Sequence, residues 1–357
     1  MDKLQLLAHW IDRLGGDRVN KLARWSGVLA FNYHRIGDAA GSPYDHALYS
    51  ATQEGFAEQM AFLASNFDVI SPKDLAGLGG APKGRQVLVT FDDGYRDNYE
   101  LAFPVLRAQG VSATFFVTAG FLDDGLLAWW DEVAWMVRHA TQASLPAGEW
   151  LKATLPLDKA QHETTIYTLL KTYKALDGAR CAAFLDWLGQ ATGSGRCPTD
   201  DARKAWMTWD MVREMRDGGM AIGGHTVHHP VLSRLTPEQQ AAEISGTGAR
   251  IQAELGERMR WFAYPVGGRD AFNEHTRCAL DEAGVELAFS YYGGFRRFGA
   301  GDWDRFDVQR VAIESIHDRA RFRATACLPS LYGVSDQPLM KRLRTTAAEF
   351  IGPNSRV

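Results

Sequence analysis

Seven short apolar runs, separated by helix-compatible sequence, constrain this chain more than any other feature. They are GVLAFNYH from Gly27, QVLVTFDDG from Gln86, ATFFVTAG from Ala113, MAIGGH from Met220, WFAYP from Trp261, ELAFS from Glu286 and DVQRVAIE from Asp307. Such runs fit strands covered on both faces, and strands alternating with helices close most readily into a parallel sheet or barrel. The pattern predicts a parallel β/α architecture, in which a barrel would gather the strand ends onto one face. At 357 residues and 46% hydrophobic content, the chain can bury a core of that kind.

The strand pattern stops between Asp124 and Lys204. There DKAQHETTIYTLLKTYKALDGARCAAFLDWLGQ reads as helix-rich and GSGRCPTDD as a closing loop, so about 124–205 is expected to be a helical insertion between strands. In LTPEQQ, Thr236 is set as N-cap, Pro237 as first helical residue and Gln239 as reciprocal cap, predicting a helix to about Leu255. Residues 1–24 read as a helical extension: Leu4, Leu7, Ile11 and Leu14 recur at helical spacing beside Trp10. That stripe suits packing on the domain, with peripheral membrane contact as the alternative. Residues 25–330 form the main domain and 331–357 a tail.

No segment approaches the roughly 20 apolar residues that cross a bilayer. The N-terminus lacks the basic start and cleavage site of a secretory signal, so the expected location is cytoplasmic. A net charge of -4 leaves no footprint for nucleic acid. Cys181, Cys197, Cys278 and Cys327 form no CxxC pair and read as reduced core residues. No feature bears on oligomeric state.

The chemistry lies at two strand ends. VLVTFDDGYRDNYE sets Asp92 against Asp93, each raising the cost of ionising the other. GGHTVHHPVLSRL carries His225 and His229 four residues apart, with His228 left over. Two imidazoles and the Asp93 carboxylate make a three-ligand set for a divalent cation with positions left open. Such an ion lowers the pKa of its water toward ~7, and Asp92 can take the proton. Adjacent residues on a strand point to opposite sides, so the two carboxylates share a site only if the strand breaks near Gly94. Taken singly, DDG is also a turn with a helix cap, and HTVHH a surface loop.

Together the motifs resemble those of the polysaccharide deacetylases, the NodB-homology family of carbohydrate esterases: TFDDG matches Thr90 to Gly94, and H-[ST]-x-x-H matches His225 to His229. The likeness runs from roughly Gly27 to Ile316. It implies an α/β fold, a distorted (β/α) barrel of about seven parallel strands, here with the helical insertion. It also implies metal-dependent removal of acetyl groups from N-acetylated sugars, hence a carbohydrate substrate in a cell-surface polysaccharide or its precursor. By the resemblance Asp92 is the base, and Asp93, His225 and His229 hold the metal, usually Zn2+, with another divalent metal as the alternative.

FAYPVGG resembles the family's third motif, in which the Val266 N–H would stabilise an oxyanion, with Tyr264 beside it. The family's commoner arginine, two residues before the proline, is Ala263 here. Arg310, a charge inside an apolar strand, is the candidate to replace it, against a purely structural ion pair. As the acid that protonates the leaving amine, His34 in NYHRIGD is preferred to His317 in SIHD, where Ser315 stands in place of the expected leucine. A neutral core histidine is the other reading of His34. Trp129 and Trp130 suit core packing or a sugar platform. Two other functions stay open: an amidohydrolase or deformylase acting on another amide, and a glycan-binding module without activity.

Overall fold

The structure, a computed structural model, describes residues 3–13, 25–77, 84–297, 304–315 and 317–332. The seven apolar runs are its strands β1 (Gly27–Tyr33), β2 (Arg85–Phe91), β3 (Thr114–Val117), β4 (Ala221–Gly224), β5 (Trp261–Ala263), β6 (Leu287–Ser290) and β7 (Val308–Ala312). Each pairs in parallel with its neighbours in chain order, and β7 returns to β1, closing a seven-stranded barrel. Closure is uneven. β1 and β2 are in register from Gly27↔Arg85 to Tyr33↔Phe91, whereas β4 meets β5 only at Phe262↔Gly224. The glycines of β4 are forced by space: a Cβ on Gly223 would lie 2.6 Å from the Phe116 ring.

The period-two alternation of strands divides the side chains between two cores. Val28, Ala30, Leu88, Phe116, Trp261, Ala263, Leu287, Phe289 and Val308 pack together as the barrel interior. Their neighbours Leu29, Phe31, Val87, Val89, Phe115 and Phe262 face outward and pack with helices that include α2 (Gln53–Asn66). Toward the C-terminal mouth the same inward positions become polar, as Asn32, Thr90, Asp92 and Arg310, all buried. The barrel is therefore dry at its base and charged at its mouth.

Helix α1 (Lys3–Arg13) docks through Ala8 and Ile11 on Ala320 and Ala324 near the C-terminal end of the described chain. The expected stripe is rotated: Ile11 is buried, but Leu7 and Trp10 are exposed, because the small Ala8 lets the helices approach. Leu14 and the Leu4 side chain lie outside the described residues, as does the tail beyond Tyr332. Of the four cysteines, all free, only Cys327 is buried. Cys181 and Cys197 are half-buried, Cys197 against the apolar core of the insertion, and Cys278 is exposed, so the core reading holds in full for Cys327 alone.

The insertion carries α3 (Trp129–Arg138), α4 (His162–Lys174) and α5 (Gly178–Thr192) around their own apolar core. It also holds a two-residue antiparallel pair, Ser144–Leu145 with Leu155–Pro156, too short to register as a strand signal. The helix that starts at the Thr236 capping box, α6 (Pro237–Leu255), has the predicted cap and both predicted ends. Insertion and barrel meet around the buried Arg35, whose Nε donates to Asp97 at 2.9 Å. Its Nη1 lies 4.0 Å from Asp131 of α3, and its guanidinium stands over the rings of Tyr44, Tyr49 and Tyr95 at 5.2, 4.7 and 4.5 Å.

Candidate active site

The mouth of the barrel opens into a cavity of about 270 Å³ lined by His34, Asp92, Asp93, His225, His229, Tyr264 and Val266, among others. Every sequence-predicted site residue except Arg310 thus borders one space, and Arg310 lies directly beneath it. Strand ends at the C-terminal face of a barrel converge by geometry, so residues far apart in sequence meet there.

Two tight turns aim the key groups. β2 ends at Phe91, and the Gly94 N–H donates back to the Asp92 carbonyl at 3.0 Å, with Asp93 between them at φ 75°. After β5, the Gly267 N–H donates to the Pro265 carbonyl at 2.6 Å around Val266 at φ 61°. Both are γ-turns centred on a left-handed residue, a strained form that only a fixed surrounding structure maintains. The strand break needed to bring Asp92 and Asp93 to one side therefore falls at Asp93 itself, one residue before Gly94. Among the described residues the non-glycine positive-φ positions are Asp93, Thr226, His229 and Val266, all at this mouth.

The loop after β4 is built locally. The Thr226 hydroxyl accepts from the His229 N–H at 2.9 Å, folding His229 back beside His225. Glu243 of α6 accepts from the N–H groups of Val227 and His228 at 2.8 and 2.9 Å and also faces the His228 ring. His228 thereby turns away from the cavity. No sequence signal marks Glu243 for this role; it stands on an exposed-looking helix position.

Asp93 Oδ1 is buried without a hydrogen bond, 3.4 Å from His225 Nε2 and 3.4 Å from His229 Nε2. The three donor atoms lie within 4.8 Å of one another. The His225 Nδ1 is 2.8 Å from the Ala263 carbonyl, an acceptor, so that nitrogen carries the proton and Nε2 presents its lone pair. His229 has no such bond; its Nδ1 is unpartnered among the described residues, and the Trp130 ring packs against it at 4.5 Å. Burial and the neighbouring His225 push His229 down to about 3, which keeps the ring neutral with one nitrogen lone pair free. An orphaned carboxylate oxygen facing two imidazole nitrogens fits a divalent cation.

Asp92 is held differently. Arg310 donates to both its oxygens, Nη1 at 2.7 Å and Nη2 at 2.9 Å, and Asn32 Nδ2 adds a bond at 3.1 Å. Burial opposes ionisation, but Arg310, then His225 and His34, hold the carboxyl well below the usual carboxylate range. Arg310 itself is fixed by Asn32 Oδ1 at 2.8 Å and the Ser290 carbonyl at 3.1 Å. The arginine expected two residues before Pro265 has thus been supplied from β7. Asn32, central to this network, carries no motif that would have singled it out.

The half-buried His34 borders the cavity with its ring edge-on to Tyr291 at 5.6 Å. His317 lies apart, lining a second cavity with Ser50, Glu58 and Arg319, and its Nδ1 accepts from the Glu314 N–H at 3.0 Å. Geometry favours His34. The Val266 N–H makes no hydrogen bond among the described residues, and the residue borders the cavity. Tyr264 differs from expectation: its hydroxyl donates to the Phe306 carbonyl at 2.8 Å and its ring stacks on Phe272, because it shares the outward, helix-facing side of the chain with Phe262. It borders the cavity without a spare proton.

The model for polysaccharide deacetylases matches residues 79–145 and 156–288, more than half of the chain. The chain belongs to the polysaccharide deacetylase family. YxkH of Bacillus subtilis (strain 168), provisionally named as such a deacetylase, is 22% identical over 262 residues, 72% of this chain and 63% of its own length. This chain thus spans less than two thirds of that relative. Poly-β-1,6-N-acetyl-D-glucosamine N-deacetylase of Escherichia coli (strain K12) is 31% identical over 115 residues, 30% of this chain and 17% of that one. The fold is also that of the Streptococcus pyogenes deacetylase PplD, solved in complex with acetate: TM-score 0.54 at 17% identity, covering 85% of this chain and 99% of that one.

Proposed function

We propose that this protein is a metal-dependent deacetylase that removes the acetyl group from an N-acetylated sugar of a cell-surface polysaccharide or its precursor. One observation carries the reading: the buried Asp93, His225 and His229 donors stand beside a carboxylate, Asp92, that Arg310 keeps ionised. The family and the N-acetylglucosamine deacetylase among the relatives support the substrate class. Asp93, His225 and His229 would hold the ion, with zinc the metal best suited to two imidazoles and a carboxylate. When bound, a cation of this kind acidifies water and polarises a carbonyl.

Asp92 accepts the proton of the attacking water. A carboxylate held so far down is ionised at the start of every cycle and gives the proton up readily. The Val266 N–H, fixed by its γ-turn, donates to the oxyanion that develops from the acetyl carbonyl. His34, bordering the same cavity, protonates the departing amine nitrogen.

The test is metal analysis of the purified protein with acetate release from N-acetylglucosamine oligomers. Expected are close to one divalent ion per chain and release of acetate that a chelator stops. Metal binding without release from any acetylated sugar would point instead to a glycan-binding module. Turnover confined to formylated or other amides would point to a different amidohydrolase.

A further inference from the structure

We propose that the cavity receives a single terminal sugar unit end-on, and that the helical insertion is the wall imposing this limit. The inference rests on the deacetylase reading and names the form in which its substrate arrives. Three separate parts of the chain enclose the space: the barrel mouth, the segment after β1 with Asp45 and Leu48, and the insertion with Trp129, Trp130, Leu170 and Lys174. The space between these walls, about 270 Å³ and open on one side, falls just below the ~300–1,000 Å³ of sites that bury a drug-sized ligand. One sugar ring with its acetamide fills such a space, and in the end-on approach the rest of a glycan leaves through the open side.

The wall is held in place. Trp129 of α3 stacks on Tyr173 of α4 at 4.3 Å and 10° between planes, joining two insertion helices at the cavity edge. Trp130 Nε1 donates to the Tyr95 hydroxyl at 2.7 Å, which donates to the buried Asp131 at 2.8 Å. Swinging α3 aside would break this buried chain and uncover His229. The surface presented also suits one pyranose. Leu48, Leu170 and the Trp129 ring offer apolar area for its C–H face. The Lys174 ammonium, 5.8 Å from the Trp129 ring centre and without an ion pair or hydrogen bond among the described residues, offers donors to ring hydroxyls.

The experiment counts acetate released per substrate molecule from N-acetylglucosamine, its dimer and longer oligomers, using the metal-loaded protein. The expected result is one acetate per oligomer molecule at every length. Release that grows in proportion to length would overturn the end-on proposal while leaving the deacetylase reading intact; no release from any length would overturn both. Trp129→Ala is expected to raise KM for the shortest accepted substrate roughly tenfold, more than it lowers kcat. Because Trp129 also packs on Tyr173, Lys174→Ala, at an exposed position, serves as the second variant and should raise KM several-fold. Unchanged KM in both variants would sink the role given to the insertion.

Discussion

Two buried arginines face aspartates in this molecule, and their carboxylates are driven in opposite directions. Arg310 meets one carboxylate, Asp92, through both terminal nitrogens, and Arg310's remaining donor, Nε, reaches the Ser290 carbonyl. Arg35 faces two, donating to Asp97 through Nε alone and standing 4.0 Å from Asp131, while its Nη1 finds no hydrogen bond. Asp92 is held well below the usual range, whereas burial pushes Asp131 up to about 7 and outweighs the pull of Arg35. Burial is common to both clusters. What differs is two-pronged contact and one cation per carboxylate, and that decides which aspartate stays ionised.

Removing the cation from the first cluster should have the largest effect. Arg310→Ala leaves Asp92 buried and uncompensated, and should cost about 3–5 kcal/mol of stability in denaturant melts, together with activity. A loss below about 1 kcal/mol would mean that the pair is not dry. Asp92→Asn keeps a carbonyl oxygen for Arg310, so it should fold with a smaller loss and retain metal. Its turnover should fall by about a thousandfold, the scale of a lost general base. Near-normal acetate release would remove Asp92 from the base role.

In the second cluster the sign with pH is the informative quantity. The folded pKa of Asp131, about 7, exceeds its unfolded value of ~3.9, so the folded form binds more protons in between. Stability should therefore fall as pH rises from about 4 to about 7, by up to about 1.4 kcal/mol per unit, and Asp131→Asn should flatten that slope. An unchanged slope in the variant would place the titration elsewhere. The smallest effect is expected where the two clusters approach each other. Trp130→Phe retains a ring against His229 but loses the bond to Tyr95, a change of about 1 kcal/mol with metal content kept. Loss of metal would show that the hydrogen-bond chain, rather than ring packing, holds His229.

The seven strands, the cap of α6 and the DDG and HTVHH motifs were legible in the sequence because each is a local pattern. Short apolar runs, a capping box and two histidines four residues apart need no knowledge of distant chain. Arg310 was legible only in outline, as a charge that must find a partner. That the partner is Asp92, 218 residues away, follows from barrel closure, which sets β7 beside β1 with Ala30 opposite Arg310. Asn32 and Glu243 were likewise found only through contacts between distant segments, while His34, already preferred to His317 in the sequence, borders the mouth. The sequence by itself determined the elements and the residue types that could hold a cation. Only the tertiary structure decided their ionisation and support, because both depend on burial and on contacts between segments that local patterning does not encode.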